Sequence, residues 1–404
     1  MSAPVLLRFL LFFVVTGVIT VGSHVYLYRR IFRDTSGHPG WRKAGVVAMA
    51  VLCLLMLGSR LLARVLPTDA MLTVATVGWT WMGVATYLLL AFFTLGGARY
   101  LANFPRLLRA LRARGSEAPS APPAPVSEER RQFLSRATAG GALLVTGGFV
   151  GYGTWRAFHP PVVNEVAVRL PGLPKALDGF TLVQMSDIHV GPVIQRRFMD
   201  AVVAQCNALK PDLVCITGDL VDGSVEELGY SVSALSNLQS RHGSYFVTGN
   251  HEYYSGDEEG TEALQRMNVT VLRNRHVRIG DAAASFDLVG VDDWGARRSG
   301  FDRQYDLEGA LRGRDAERAA VLLAHQPSNW REAARAGMGL QLSGHTHGGQ
   351  FFPFTLAISA IWEHDAGLFE ENGRHIYVSR GTGFWGPPVR VAAPPEIVRV
   401  TLLS

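Results

Sequence analysis

The sequence predicts an α/β fold built on two mixed β-sheets and preceded by N-terminal transmembrane helices. Three observations lead there. Long apolar stretches crowd the first hundred residues. From residue 163 onward, apolar runs of strand length alternate with helical spacings and later follow one another, a pattern that fits two mixed sheets face to face with helices outside. Five of those runs end in a residue that binds metals.

The apolar stretches are residues 5–27, 44–66 and 71–95, each long enough for a bilayer core that takes about 20 helical residues to cross. Arg8, Arg60 and Arg64 lie near their ends, where long side chains reach the headgroups. No small-residue cleavage site follows the first stretch, so it reads as a retained anchor. Arg29, Arg30, Arg33, Arg42 and Lys43 lie between the first two spans, and Arg99, Arg106, Arg109, Arg112 and Arg114 follow the third. Basic loops belong in the cytoplasm, so the amino terminus and the short connection 67–70 face out. Apart from His24 the spans carry no relay of ionisable groups, which argues against a transporter.

Residues 104–129 read as a basic, proline-rich cytoplasmic linker that cannot bury a core. Arg130-Arg131-Gln132-Phe133-Leu134-Ser135 and the weakly apolar stretch behind it resemble a twin-arginine export signal over 130–156. A plain fourth transmembrane helix is the alternative. Both carry the chain outward and put residues 157–404 outside the cytoplasmic (inner) membrane, and the first makes the twin-arginine export machinery a partner. The net charge of +5 comes with arginines concentrated at the front, so nucleic acid is not an expected partner. Cys53, Cys206 and Cys215 form neither a disulfide framework nor a metal spacing and read as buried thiols.

In the last 250 or so residues, 163–170 alternates as a first strand and is closed by Pro171-Gly172-Leu173-Pro174. Helical spacing covers 196–209, 225–238 and, as a short acidic segment, 256–267. Residues 269–272, 275–279 and 286–291 form a strand cluster, and 319–324, 340–343, 375–379 and 397–402 complete the strand set. No internal repeat is visible.

Five apolar runs lead into five polar loops. Residues 182–186 precede Asp187-Ile188-His189, and 213–217 precede Gly218-Asp219-Leu220-Val221-Asp222. Residues 245–248 precede Gly249-Asn250-His251-Glu252, 321–324 precede His325, and 340–343 precede Gly344-His345-Thr346-His347-Gly348-Gly349. Loops at the carboxyl ends of sheet strands gather functional groups in one cleft. Imidazoles, carboxylates and an amide oxygen in this number suit two divalent ions that share a carboxylate.

This series of motifs resembles the calcineurin-like metallophosphoesterases over roughly residues 163–404, specifically a bacterial membrane-anchored branch with a twin-arginine-like signal. The resemblance implies a four-layer α/β/β/α sandwich and a dinuclear centre of manganese, iron or zinc. One ion would be held by Asp187, His189 and His347, the other by Asn250, His325 and His345, with Asp219 bridging them. A hydroxide between the ions would attack a phosphodiester or phosphomonoester, and His251 would protonate the leaving group or donate a hydrogen bond to it. Asp222 and Glu252 read as supports that fix loops and ligands.

His364, Asn274, His276 and Asp292 read as structural polar residues. Gly348 and Gly349 allow close backbone approach in the metal loop. The apolar segment 351–362 behind that loop is expected to pack as core; if exposed, it would rest on the membrane or admit a lipid-linked phosphoester. A related activity, hydrolysis of UDP-2,3-diacylglucosamine, needs a cytoplasmic substrate and conflicts with the outward orientation. A non-catalytic binding module of the same fold would not need the complete ligand set.

Overall fold

A computed structural model of the chain describes residues 3–62, 68–113, 127–296 and 303–404. It divides into two compact units, Met1–Gly151 and Tyr152–Ser404.

The first unit is helical: α1 (Ala3–Tyr28), a π-helical turn at Arg29–Arg33, α2 (Pro39–Leu62), α3 (Thr68–Ala113) and most of α4 (Glu128–Phe158). Among the described residues, Pro39–Gly58, Ala70–Pro105 and Glu128–Phe158 are long and apolar enough to cross a membrane. Helix α1 covers the first expected span. Leu27, Met49, Leu88, Phe92 and Ala142 form a shared interior, whereas Phe13, Leu54 and Leu144 point outward, 67%, 67% and 80% exposed. An apolar exterior around a small interior suits lipid as the surrounding solvent. His24 bonds the Thr20 carbonyl and accepts from Trp81 Nε1, both at 2.8 Å.

Helix α3 runs on to Ala113, so residues 104–113, expected as the start of the linker, are helical. Linker residues 114–126, Arg64, Pro67 and Arg114 lie outside the described residues, as do the side chains of Arg8, Arg60, Arg99, Arg106, Arg109 and Arg112.

The second unit opens with β1 (Val162–Arg169), β2 (Thr181–Met185), α5 (Arg196–Ala208), β3 (Leu213–Thr217) and α6 (Val225–Val232). It continues with β4 (Ser244–Val247), α7 (Asn250–Ser255), α8 (Asp257–Arg266), β5 (Val269–Val271), β6 (Arg275–Gly280) and β7 (Ser285–Gly290). Then come α9 (Leu307–Leu311), β8 (Ala320–Leu323), α10 (Trp330–Arg335) and β9 (Leu340–Ser343). It ends with α11 (Phe354–Ile361), β10 (Gly367–Glu371), β11 (Arg374–Val378) and β12 (Glu396–Leu403).

One sheet has the order β1-β12-β2-β3-β4-β5 and the other β10-β11-β9-β8-β7-β6. Both are mixed. Strand β12 is antiparallel to β2 in the first, and the two edge pairs of the second are antiparallel. The central strands are buried on both faces, which is why they read as continuous apolar runs. In β3, Val214 and Ile216 join Val202, Val203 and Cys206 of α5. Leu213 and Cys215 instead meet Leu288, Val321 and Leu340 of the other sheet. Leu322 and Ala320 on the outer face of the second sheet meet Leu307 and Ala310 of α9. The result is the expected α/β/β/α arrangement.

Elements differ from the sequence reading where local pattern is weak. Helix α6 opens with a capping box between Ser224 and Glu227 but stops at Val232, giving way to a 3-10 turn at Ser233–Asn237. Helices α7, α9, α10 and α11 and strand β10 were not anticipated. Of segment 351–362, Phe351 is buried as expected, but α11 buries none of its residues and does not pack as core.

Candidate metal centre

All five loops leave their strands at the carboxyl end and meet. Asp187 follows β2, Asp219 follows β3, Asn250 opens α7 after β4, His325 follows β8 and His345 follows β9. Ligand-type atoms of Asp187, His189 and His347 lie within 4.8 Å of one another, and so do those of Asp219, His325 and His345. Asp219 Oδ2 joins the two groups, 3.2 Å from His325 Nε2 and 3.8 Å from His189 Nε2. The imidazoles converge in pairs, His189 Nε2 to His347 Nε2 at 3.1 Å and His325 Nε2 to His345 Nδ1 at 3.2 Å.

The backbone is bent to aim these side chains. Asp187, His189, Asp219, His345 and His347 all have positive φ, between 50° and 73°, a region that non-glycine residues occupy at a cost of about 1–3 kcal/mol each. Two glycines make room. A Cβ on Gly344 would collide with Asp187 Oδ2 and Ser186 Oγ, and one on Gly249 would collide with Asp219 Oδ1.

Asp222 and Glu252 hold this arrangement from behind. Asp222 Oδ1 accepts from His189 Nδ1 at 3.0 Å and from His251 Nδ1 at 2.5 Å. Glu252 accepts the backbone N–H groups of Asp219, Leu220 and Gly249 at 3.0, 2.8 and 2.6 Å. His251 N donates to Asp219 Oδ1 at 2.9 Å, and its Nε2 is 3.9 Å from Asp219 Oδ2.

The electrostatics separate the histidines. Burial, and then the charge of His325, push His345 down to about 3. Burial and the Arg390 guanidinium hold His347 well below the usual imidazole range. Neutral imidazole is the form that binds a metal. Burial opposes charge on His251 as well, but Asp219, Asp222 and Glu252 outweigh it and push His251 up to about 9. Burial also opposes charge on Asp219, and here His325 and His251 win, holding the carboxylate well below its usual range.

A model of the calcineurin-like phosphoesterases matches residues 180–349. A Danio rerio protein described as a transmembrane protein with metallophosphoesterase domain is 34% identical, over 98% of this chain and 89% of its own length. The chain belongs to the calcineurin-like metallophosphoesterase family. An uncharacterized metallophosphoesterase of Helicobacter pylori is 37% identical over 68% of this chain and 72% of its own. The solved structure of a dimetal phosphatase from Danio rerio aligns with 56% of this chain and 94% of its own at 12% identity, with a TM-score of 0.35. As a metallophosphoesterase the chain is a metal-dependent phosphoester hydrolase.

The residues fit such a metal. The metallophosphoesterase buries the Asn250 Oδ1 atom without a hydrogen-bond partner among the described residues, an orphan acceptor of the kind that calls for an ion. Two carboxylates, Asp187 and Asp219, are 0% and 2% exposed with imidazoles around them, a donor set that suits divalent zinc, manganese or iron.

Sequence reasoning missed several neighbours. Arg390, wholly buried, donates to the carbonyls of His347, Arg380 and Gly383 and brings Nη2 to 3.1 Å from His347 Nδ1. Asp293, pushed up to about 6 by burial, accepts from Gln326 beside the His325 loop. The rings of Tyr254 and Trp385 approach His251 at 5.7 and 6.0 Å, and Trp362 approaches His345 at 5.4 Å. They lie outside the metal-seeking motifs, and an arginine or tryptophan has no spacing rule to betray it. His364 is buried against Trp330 and Phe369. Asn274 and Asp292 bond each other, and His276 bonds the Ala310 carbonyl.

Proposed function

We propose that this metallophosphoesterase hydrolyses phosphodiester or phosphomonoester bonds at a pair of divalent ions, on the outer face of the cytoplasmic membrane. The observation that carries the reading is Asp219 Oδ2 standing between the two groups of converging imidazoles. Asp187, His189 and His347 would hold one ion, Asn250, His325 and His345 the other, and Asp219 would touch both. Ions so held supply Lewis-acid charge to the phosphoryl oxygens and acidify water near neutral pH.

The remaining steps belong to the side chains. Asp222 fixes the proton of His251 on Nδ1, so Nε2 can donate only when the ring carries a second proton. Asp222, bonded to Nδ1, supports that protonated ring. His251 would then give a proton from Nε2 to the departing oxygen or donate a hydrogen bond to it. Asp222 orients both His189 and His251 through one oxygen, and Glu252 fixes the turn that presents Asp219. Arg390 locks the His347 loop.

Orientation rests on the basic segments either side of the second and third spans and on Arg130 and Arg131 in the first turn of α4. The packing of the α4 C-terminus into the catalytic unit favours a helix that is retained: Arg156 donates to Pro395 O at 3.4 Å, and Arg390 N donates to Gly153 O at 2.9 Å.

The test is turnover of bis(p-nitrophenyl) phosphate and of p-nitrophenyl phosphate by the full chain in detergent. It is run with manganese, with zinc and with chelator, beside Asp219→Asn. Metal-dependent turnover lost in the variant is expected, and the ratio of the two rates assigns diester or monoester preference. A folded protein inert on both esters with either metal would sink the proposal.

A further inference from the structure

Helix α11 is an anomaly for a water-facing element. Its sequence, Phe-Thr-Leu-Ala-Ile-Ser-Ala-Ile, has no charged residue, yet none of its residues is buried. Leu356 and Ile361 are 63% and 75% exposed, and Phe352 just before the helix is 43% exposed. Its only polar residues, Thr355 and Ser359, share one side, with Ser359 bonded to Asp365, and a helix apolar over the rest of its surface belongs in a core or in lipid. It is also rigidly joined to the metal loop: a Cβ on Gly349 would stand 2.5 Å from Thr355 N. At its far end the ring of Trp362 meets His345.

The same surface is tied to the exit of a candidate membrane span. The last turns of α4, from Tyr152, belong to the catalytic unit, and Val389 and Val391 fill the space where a Gly153 side chain would be. Val391 is in turn bridged to Phe351, and its carbonyl accepts from Phe352 N at 3.0 Å. One short strip of chain thus touches the end of α4 on one side and leads into α11 on the other. Trp155, Phe158 and Trp385 around it are 53%, 47% and 45% exposed. Aromatic residues at a span's end are the composition of a membrane interface. At the C-terminal end of α11, an open pocket of about 370 Å³ lies between Ile361–Trp362 and Pro327–Arg331, with the charged Arg331 and Glu363 in its lining.

We propose that α11, with Phe352 and Trp385, lies in the headgroup–acyl boundary of the membrane that anchors the chain, so that the metal cleft opens beside the bilayer and takes lipid-borne phosphoesters. The substrate half of this inference rests on the hydrolytic reading above; the docking half does not. An amphipathic or apolar segment of this kind binds by burying side chains a few ångströms into the interface.

The full chain carrying Cys53→Ala is reconstituted into phosphatidylethanolamine–phosphatidylglycerol vesicles and labelled with an environment-sensitive fluorophore at Leu356→Cys. Cys206 and Cys215, being wholly buried, do not compete for the label. A second sample carries the label at Glu308→Cys, on α9 beside β6 at the opposite edge of the second sheet. Headgroup-level spin-labelled lipid should quench the Leu356 probe ~2-fold or more and leave the Glu308 probe unchanged. An unquenched Leu356 probe overturns the proposal, whether it is water-exposed or covered by a protein or a second copy. Turnover supplies the substrate arm. Leu356→Glu should lower kcat/KM on a vesicle-borne diacylglycerol p-nitrophenyl phosphodiester ~10-fold while bis(p-nitrophenyl) phosphate stays within ~2-fold. Equal effects on both esters would overturn the lipid substrate. Quenching needs no catalysis, so an inactive but quenched protein separates failure of the hydrolytic reading from failure of this one.

Discussion

Asp222→Asn isolates a single oxygen that serves two histidines with different tasks. Asp222 Oδ1 accepts from His189 Nδ1 at 3.0 Å and from His251 Nδ1 at 2.5 Å, and the carboxylate is 12% exposed. Burial opposes its charge, but His189 and His251 hold it well below the usual carboxylate range, so it is ionised at neutral pH. Asparagine keeps the shape and an acceptor but removes the charge. A hydrogen bond to a charged group contributes about 1.5–3 kcal/mol against about 0.5–1.5 for a neutral one. The change therefore forfeits about 1 kcal/mol at each histidine, which is ~5-fold per site.

The two losses should appear in different measurements. Calorimetric titration of manganese into the chelator-treated full chain should show a Kd ~5-fold weaker, because His189 loses basicity at the nitrogen facing the metal site. At saturating manganese, kcat on bis(p-nitrophenyl) phosphate should fall by a further ~5-fold through His251, whose proton is less well held. The two weakened bonds are present without metal, so together they should lower the metal-free melting temperature by ~4–8 °C, while Asp222 N still donates to Val190 O at 2.9 Å and keeps the loop in place. A weaker Kd with unchanged kcat would refute the link to His251. Both values within ~2-fold of wild type would refute the account of Asp222 altogether.

Gly344→Ala would set a Cβ against Asp187 Oδ2 and Ser186 Oγ; overpacking of about 1–3 kcal/mol lowers Tm by ~2–12 °C, read by differential scanning fluorimetry, and an unchanged Tm would contradict the close approach. Chelation should itself destabilise the wild type. Free metal at 100 times Kd contributes about 2.7 kcal/mol, so removing it should drop the catalytic unit's Tm by ~5–11 °C, and Asp219→Asn should show little of that drop. Cys206 and Cys215 are wholly buried, and burial pushes Cys206 up to about 12. Neither should react with a water-soluble maleimide at pH 8 until the protein is denatured, and labelling in the folded state would place them wrongly.

The sheets and the ligand loops were legible because their signals are local and redundant. A strand buried on both faces must be a continuous apolar run, and a polar residue that ends it must sit at the strand's carboxyl end. By that logic Asp187, Asp219, Asn250, His325 and His345 belong at strand ends, and each follows its strand in the structure. Short helices were another matter. Helix α7 is six residues long, too short for periodicity to register, and it opens on Asn250, so a presumed loop is a helix N-terminus. Arg390 was invisible for a different reason. It lies 43 residues from His347 and touches it only because Phe351 and Val391 bridge the two segments.

Helix α11 exposes the limit most clearly. An apolar octapeptide reads as core, since in water burial is the default use of such side chains. The sequence carries no local mark that separates an interior helix from one turned toward lipid, because the two environments are almost equally apolar. What distinguishes them is the neighbourhood. Here Gly349 clamps the helix to the metal loop, while the Val389–Val391 strip, bridged to Phe351 just ahead of it, is bonded to the end of a span. The face left over is apolar and open. The core reading of segment 351–362 failed at α11 because the second unit offers those side chains nothing to pack against, and the exposed alternative, with the membrane as its expected neighbour, is the one that α11 leaves standing.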